Sequence, residues 1–243
     1  TPPPGYFPKN VLMNIQGYES LDTVLERGHK ALTAENFEMV ANETNALVLD
    51  TRNATDFANG FIPNSINIGL DGSFAQWVGE MIPDIKQEIL LVSNPGYEDE
   101  AMIRLSRVGY DGSIGYLEGG FDAWKKAGKE VDTVKRITAE QFATIHENEK
   151  PLTIDIRKKS EFQSQHITDA VNIPLNEINN HLAEFPKDKP FILHCAGGYR
   201  SMIAASMLKQ RGWDNFSDVI GGFTEIAKTN VPKSEYICPS TML

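Results

Sequence analysis

The sequence predicts two tandem α/β domains, each a mainly parallel sheet flanked by helices. Two observations carry this: the chain repeats itself, and each repeat alternates short apolar runs with helix-forming ones. Thr33-Ala34-Glu35-Asn36-Phe37 returns as Thr138-Ala139-Glu140-Gln141-Phe142, and Leu49-Asp50-Thr51-Arg52 as Ile154-Asp155-Ile156-Arg157, both displaced by 105 positions. Phe57, Ile62, Asn67 and Ile68 fall on Phe162, Ile167, Asn172 and Ile173 at the same displacement, and Gly119-Gly120-Phe121 falls on Gly221-Gly222-Phe223 at 102. The organisation expected from this is a Pro-rich connector over 1–29, a first domain over 30–132, and a second domain with a C-terminal tail over 133–243.

Each element has a local reason. Thr1 to Asn10 carries too many prolines for regular structure and reads as an extended connector, while Leu21 to Arg27 has the composition of a short helix. In the second repeat, Leu152 to Ile156 and Phe191 to His194 are short β-rich runs, as buried central strands of a parallel sheet require. Ser201 to Arg211 is rich in helix formers, places Met202, Ile203, Ala205 and Met207 as apolar positions, and stops at Gly212. Asp218-Val219-Ile220 predicts a third strand, and a helix opens near Phe223. Right-handed crossovers connect such strands.

Composition removes several function classes. The longest apolar runs, Ala46 to Leu49 and Ile89 to Val92, fall far short of the roughly 18 residues a membrane span needs. The net charge of −10, without a Lys/Arg stripe, argues against nucleic-acid binding. Two cysteines, Cys195 and Cys238, and no apolar segment after a basic N-terminus fit a reducing cytoplasm. The five histidines (His29, His146, His166, His181, His194) are scattered, so neither a metal site nor a cofactor is expected. The chain begins at Thr1 rather than at a methionine, and a piece of something longer is the expectation.

The chemistry is expected at Cys195. The run Phe191-Ile192-Leu193-His194-Cys195-Ala196-Gly197-Gly198-Tyr199-Arg200-Ser201 reads as buried strand, cysteine-led loop and helix. Backbone N–H groups curling into a helix N-terminus concentrate partial positive charge, which lowers a thiol's pKa. Gly197 and Gly198 permit the curl, and Arg200 adds a cation able to hold an anionic substrate or to tie the loop to a carboxylate. A buried cysteine at a strand end is more often a small hydrophobe, but core packing calls for neither glycines nor an arginine at this spot. His194, adjacent on a strand, points to the opposite face and is expected to pack there. Asp155 and Arg157 recur as Asp50 and Arg52 and read as a structural ion pair. Cys238, in the tail, is read as uninvolved.

These residues resemble the rhodanese sulfurtransferases, in tandem. Ile154-Asp155-Ile156-Arg157, Glu161-Phe162, His166-Ile167, Ala170 to Pro174, the Cys195 loop and Gly221-Gly222-Phe223 match that family's pattern in order, over roughly residues 30 to 130 and 135 to 230. The resemblance implies that Cys195 takes a sulfane sulfur from thiosulfate or a persulfide, holds it as a cysteine persulfide and passes it to a nucleophile. It makes Ala196, Gly197, Gly198, Tyr199 and Arg200 the substrate-binding loop. Gln165 and Thr168-Asp169 stand where the family prefers Gly and Pro-Gly, and Ala196 where a basic side chain is often found, which counts against thiosulfate as the preferred donor. The first domain has Ser93-Asn94-Pro95-Gly96-Tyr97-Glu98 in the loop's place, and is expected to be catalytically degenerate because serine forms no stable persulfide and Glu98 repels anions. Pro3 to Phe7, Asn14 to Gly17 and Phe74 to Gly79 resemble fusion proteins in which a metallo-β-lactamase-fold domain precedes two rhodanese domains, as in persulfide dioxygenase-like enzymes. That would make such a domain a partner missing from this chain.

Two other functions compete. A docking or sulfur-sensing module would keep the fold without turnover. A phosphatase of the cell-cycle type, built on the same cysteine and arginine, has a loop one residue longer than the four residues between Cys195 and Arg200, and so ranks last.

Overall fold

A computed structural model of the chain describes residues 20–238. The Pro-rich stretch, Asn14 to Gly17 and Pro239 lie outside the described residues. The chain divides into two compact units between Asp132 and Thr133, and each is an α/β unit with a five-stranded parallel sheet.

In the first unit, α1 (Leu21–Gly28) leads to β1 (Ala31–Leu32), α2 (Ala34–Glu43), β2 (Leu47–Asp50), α3 (Ala54–Asn59) and β3 (Ile66–Asn67). There follow α4 (Phe74–Met81), β4 (Ile89–Val92), α5 (Glu98–Ser106), β5 (Ser113–Leu117) and α6 (Gly120–Lys126), and the sheet order is β1-β5-β4-β2-β3. Helix α1 is capped by Ser20, buries Val24 completely, and sends Arg27 to the carbonyl of Asp111, so residues from Ser20 onward are built into this unit.

The second unit runs β6 (Arg136–Ile137), α7 (Ala139–Glu149), β7 (Leu152–Asp155), α8 (Lys159–Ser164), β8 (Val171–Asn172), two short 3₁₀ turns, β9 (Phe191–His194), α9 (Tyr199–Gln210), β10 (Phe216–Val219) and α10 (Gly222–Ile226). Its order, β6-β10-β9-β7-β8, is that of the first unit. The register repeats as well: Leu47 pairs with Ile89 as Leu152 pairs with Phe191. Local chemistry explains why the matching segments were matched. Thr33 and Thr138 both cap helices, the second in a reciprocal box with Gln141. Asn67 and Asn172 each use the side-chain amide to bridge two carbonyls, those of Asp50 and Arg52 and those of Asp155 and Arg157. Phe37 and Phe142, fully buried, anchor the cores of their units.

Several boundaries differ from expectation. Strand β7 ends at Asp155 rather than Ile156, and β10 runs Phe216–Val219, with Ile220 exposed beyond it. Helix α9 begins at Tyr199 instead of Ser201, because Gly198 in a left-handed conformation starts the helix at once. Every residue of α9 from Ser201 to Leu208 is buried, so the expected apolar stripe is instead a helix enclosed all round. Among the described residues no helix is long and apolar enough to cross a membrane.

Candidate active site

Cys195 sits directly after β9 and ahead of α9, with 1% of its surface exposed. Its Sγ accepts a hydrogen bond from the Gly198 N–H at 3.1 Å. Gly198 is the residue that caps α9, at φ 106°, a backbone conformation that L side chains rarely adopt. The sulfur therefore lies against the positive end of a twelve-residue helix. Gly197 does not share Gly198's conformation: it is exposed, lies outside the left-handed region, and has nothing within 4 Å of where a Cβ would stand.

The loop is held from two sides. On one, the first turn of α10 donates to it: Phe223 N–H to the Cys195 carbonyl at 2.7 Å, and Thr224, by N–H and hydroxyl, to the Ala196 carbonyl at 3.0 and 2.9 Å. Gly222, at φ 56°, makes room for this, since a Cβ there would stand 2.4 Å from the Cys195 carbonyl oxygen. Sequence reasoning used Gly221-Gly222-Phe223 as a repeat marker and as part of the family pattern, and missed this clamp; its recurrence beside both loops was the available signal. On the other side Arg200 makes a two-pronged ion pair with Glu161 of α8, at 2.6 and 2.8 Å. Burial pushes the Glu161 carboxyl up, but hydrogen bonds from Arg200, its charge and the Lys158 N–H outweigh that and leave it below its ordinary value. Of the two roles open to Arg200, the tie to a carboxylate is the one observed. Ala196 and Tyr199 are partly exposed beside the sulfur's loop.

Asp155 and Arg157 form the expected buried pair, with Arg157 also donating to the Gln165 carbonyl and lying 3.9 Å over the Phe223 ring. Fully buried His194 does not bond the sulfur; its Nδ1 faces the Cys195 carbonyl at 3.2 Å, and burial holds its pKa below the ordinary value. Cys238 is exposed, and the chain just before it pairs with Ser164 through Ile237.

The model of the rhodanese-like domain matches this chain twice, over residues 33–127 and 138–229. The chain belongs to the rhodanese-like domain family. Among curated relatives, an uncharacterised Bacillus subtilis protein, YqhL, is 36% identical over 90 residues, 37% of this chain and 70% of its own. The thiosulfate sulfurtransferase GlpE of Pseudomonas syringae is 34% identical over 99 residues, 41% of this chain and 92% of its own. A rhodanese-related protein of known structure from Thermoplasma volcanium is 30% identical over 41% of this chain and 97% of its own, with a TM-score of 0.37.

The first rhodanese-like domain keeps the frame of the second. Arg52 pairs with Asp50, donates to the Gly60 carbonyl and lies 4.2 Å over Phe121, and a Cβ on Gly120 would stand 2.7 Å from the Ser93 carbonyl oxygen. Its loop is filled differently. Buried Ser93 shares a hydrogen bond of 2.8 Å with Thr51, whose counterpart in the second domain is Ile156. The Gly96 N–H, counterpart of the Gly198 N–H, donates to the Glu98 carboxylate at 2.8 Å. A carboxylate of the chain itself thus takes the donor that the sulfur uses in the second domain.

Proposed function

We propose that the second rhodanese-like domain is a sulfurtransferase whose carrier is a persulfide on Cys195. The Cys195 thiolate attacks the sulfane sulfur of thiosulfate or of a low-molecular-weight persulfide; a new S–S bond forms as the donor's S–S bond breaks, releasing sulfite or a thiolate. A nucleophilic acceptor, a thiol or cyanide, then attacks the outer sulfur of the Cys195 persulfide, and the Cys195 thiolate leaves with the electron pair. The two steps are redox-neutral overall and need no cofactor. The observation that carries this reading is the Gly198 N–H on Sγ at the start of α9, which stabilises negative charge on that sulfur. Relatives named as sulfurtransferases, such as GlpE, support it. Ala196, Gly197, Gly198 and Tyr199 are read as the substrate-binding loop, with Arg200 holding its shape.

A thiolate carrier fits a reducing compartment such as the cytoplasm. The likeness of Pro3 to Phe7, Asn14 to Gly17 and Phe74 to Gly79, the last now at the start of α4, to fusion proteins supports a metallo-β-lactamase-fold domain as a partner. The first domain serves without sulfur chemistry of its own.

The test is intact-protein mass after incubation with thiosulfate and, separately, with glutathione persulfide, for the native chain and Cys195→Ser. Gain of one sulfur atom that cyanide or a thiol removes, absent from Cys195→Ser, is the expected result and names the better donor. A folded protein that gains sulfur from neither donor overturns the reading in favour of a docking or sensing module.

A further inference from the structure

One buried ion pair recurs in both domains, Asp50 with Arg52 and Asp155 with Arg157, and so belongs to the fold. A second does not recur. Asp218 on β10 is fully buried and accepts from Arg136 Nε at 3.0 Å, a contact set by strand register, because Asp218 stands opposite Arg136 where β10 meets β6. The same place in the first domain is held by Tyr116 opposite Ala31. The domain without the cysteine therefore lacks both charges.

A buried carboxylate is an expensive way to fill a core, and this one is incompletely satisfied: Asp218 Oδ1 has no hydrogen-bond partner among the described residues. Burial pushes Asp218 up to about 6, against the opposing pull of Ser201 and of Arg136. Those two are the polar groups that face it, Arg136 from β6 and Ser201 from α9; its register partner on β9 is apolar Leu193. Both lead to one residue. The Ser201 hydroxyl donates to the Gly198 carbonyl at 3.1 Å, and Arg136 Nη2 lies 3.6 Å from where a Cβ on Gly198 would stand. Gly198 in turn donates its N–H to Cys195 Sγ. In the first domain the position of Ser201 is Asp99.

We infer that Arg136 and Asp218 are positioning residues for Cys195: Asp218 fixes the Arg136 guanidinium beside Gly198, so that the Gly198 N–H stays on the sulfur. The inference deepens the reading of Cys195 as a sulfur carrier and rests on it. Neither residue touches the sulfur. Their presence in one domain and absence from the other follows the cysteine, whereas a pair needed only for the sheet would recur as Asp50–Arg52 does.

The test follows thiol reactivity, which does not depend on any sulfur donor. In a Cys238→Ser background, the rate of Cys195 alkylation by iodoacetamide is measured between about pH 5 and about pH 9. The chains compared are the parent, Asp218→Asn, Arg136→Gln, Arg136→Lys and the double variant Asp218→Asn/Arg136→Gln, with circular dichroism and melting followed in each. The double variant leaves no lone buried charge and so guards against a single variant that fails to fold. Expected is a rate lower by about tenfold at neutral pH and a profile moved up by about one unit in Asp218→Asn and the double variant, with partial rescue in Arg136→Lys. Folded variants with the parental profile overturn the inference, even where melting has fallen. Failure of the parent to gain sulfur from either donor, with the profile still sensitive to the pair, overturns sulfur transfer and leaves the positioning of the thiol supported.

Discussion

Gly222 and Gly197, one packed on the Cys195 loop and one within it, make opposite demands on whatever replaces them. At Gly222 a Cβ meets backbone, 2.4 Å from the Cys195 carbonyl oxygen and 2.9 Å from that of Ala196, and backbone clamped by the Phe223 and Thr224 N–H groups does not give way as a side-chain tip does. The positive φ adds strain. Gly222→Ala should therefore cost about 2 kcal/mol or more in a denaturant titration and reduce sulfur uptake of the folded fraction, by displacing the loop that Phe223 and Thr224 hold. Gly197→Ala should change stability by less than about 0.5 kcal/mol, because its Cβ enters open space. Equal effects of the two substitutions would show that the α10 clamp does not set the loop. The sequence named Cys195, its loop and the Asp155–Arg157 pair, since adjacent residues and local repetition are visible in one dimension. The partners it left unnamed, Glu161 for Arg200 and Asp218 for Arg136, are 39 and 82 positions away and are brought in only by the sheet.

At the scale of elements, local pattern was a good guide wherever the local residue decides. Strand β9 occupies Phe191–His194, as the apolar run predicted, because a central parallel strand is bounded by where its burial ends. The start of α9 escaped prediction because the decisive feature, left-handed Gly198, is a conformation rather than a residue type. That start is tied to α8 by the Arg200–Glu161 fork. Glu161→Gln should cost about 1 kcal/mol at neutral pH, since one partner is partly exposed. The sign of its pH dependence is set by Glu161 being held below its ordinary carboxyl value of 4.5. Its contribution is complete above that value and is lost as pH falls through the lower folded value. The difference in melting temperature between native and Glu161→Gln chains should thus shrink on acidification through the carboxylate range; a difference that stays constant would remove the ion pair from the account.

At the scale of the whole molecule, duplication followed by divergence explains what the two domains share and where they part. Helix caps, amide bridges, the Asp50–Arg52 pair and the Gly120 contact maintain the fold and are repeated. The changes in the first domain converge on its loop: Ser93 for cysteine, Thr51 to bond that serine, and Glu98 to take the Gly96 N–H. If the internal carboxylate opposes negative charge at this loop, then a cysteine placed there should react more slowly while the carboxylate is present than after it is removed. In a Cys195→Ser/Cys238→Ser background, Ser93→Cys should alkylate slowly at neutral pH, for its sulfur faces an amide already engaged and a negative charge near by. Adding Glu98→Gln should raise that rate by about three- to fivefold, the equivalent of the roughly 0.6 to 1 kcal/mol by which a helix N-terminus stabilises an anion. Identical rates with and without Glu98 would mean that the carboxylate is a bystander to the reactivity of a thiol at that position.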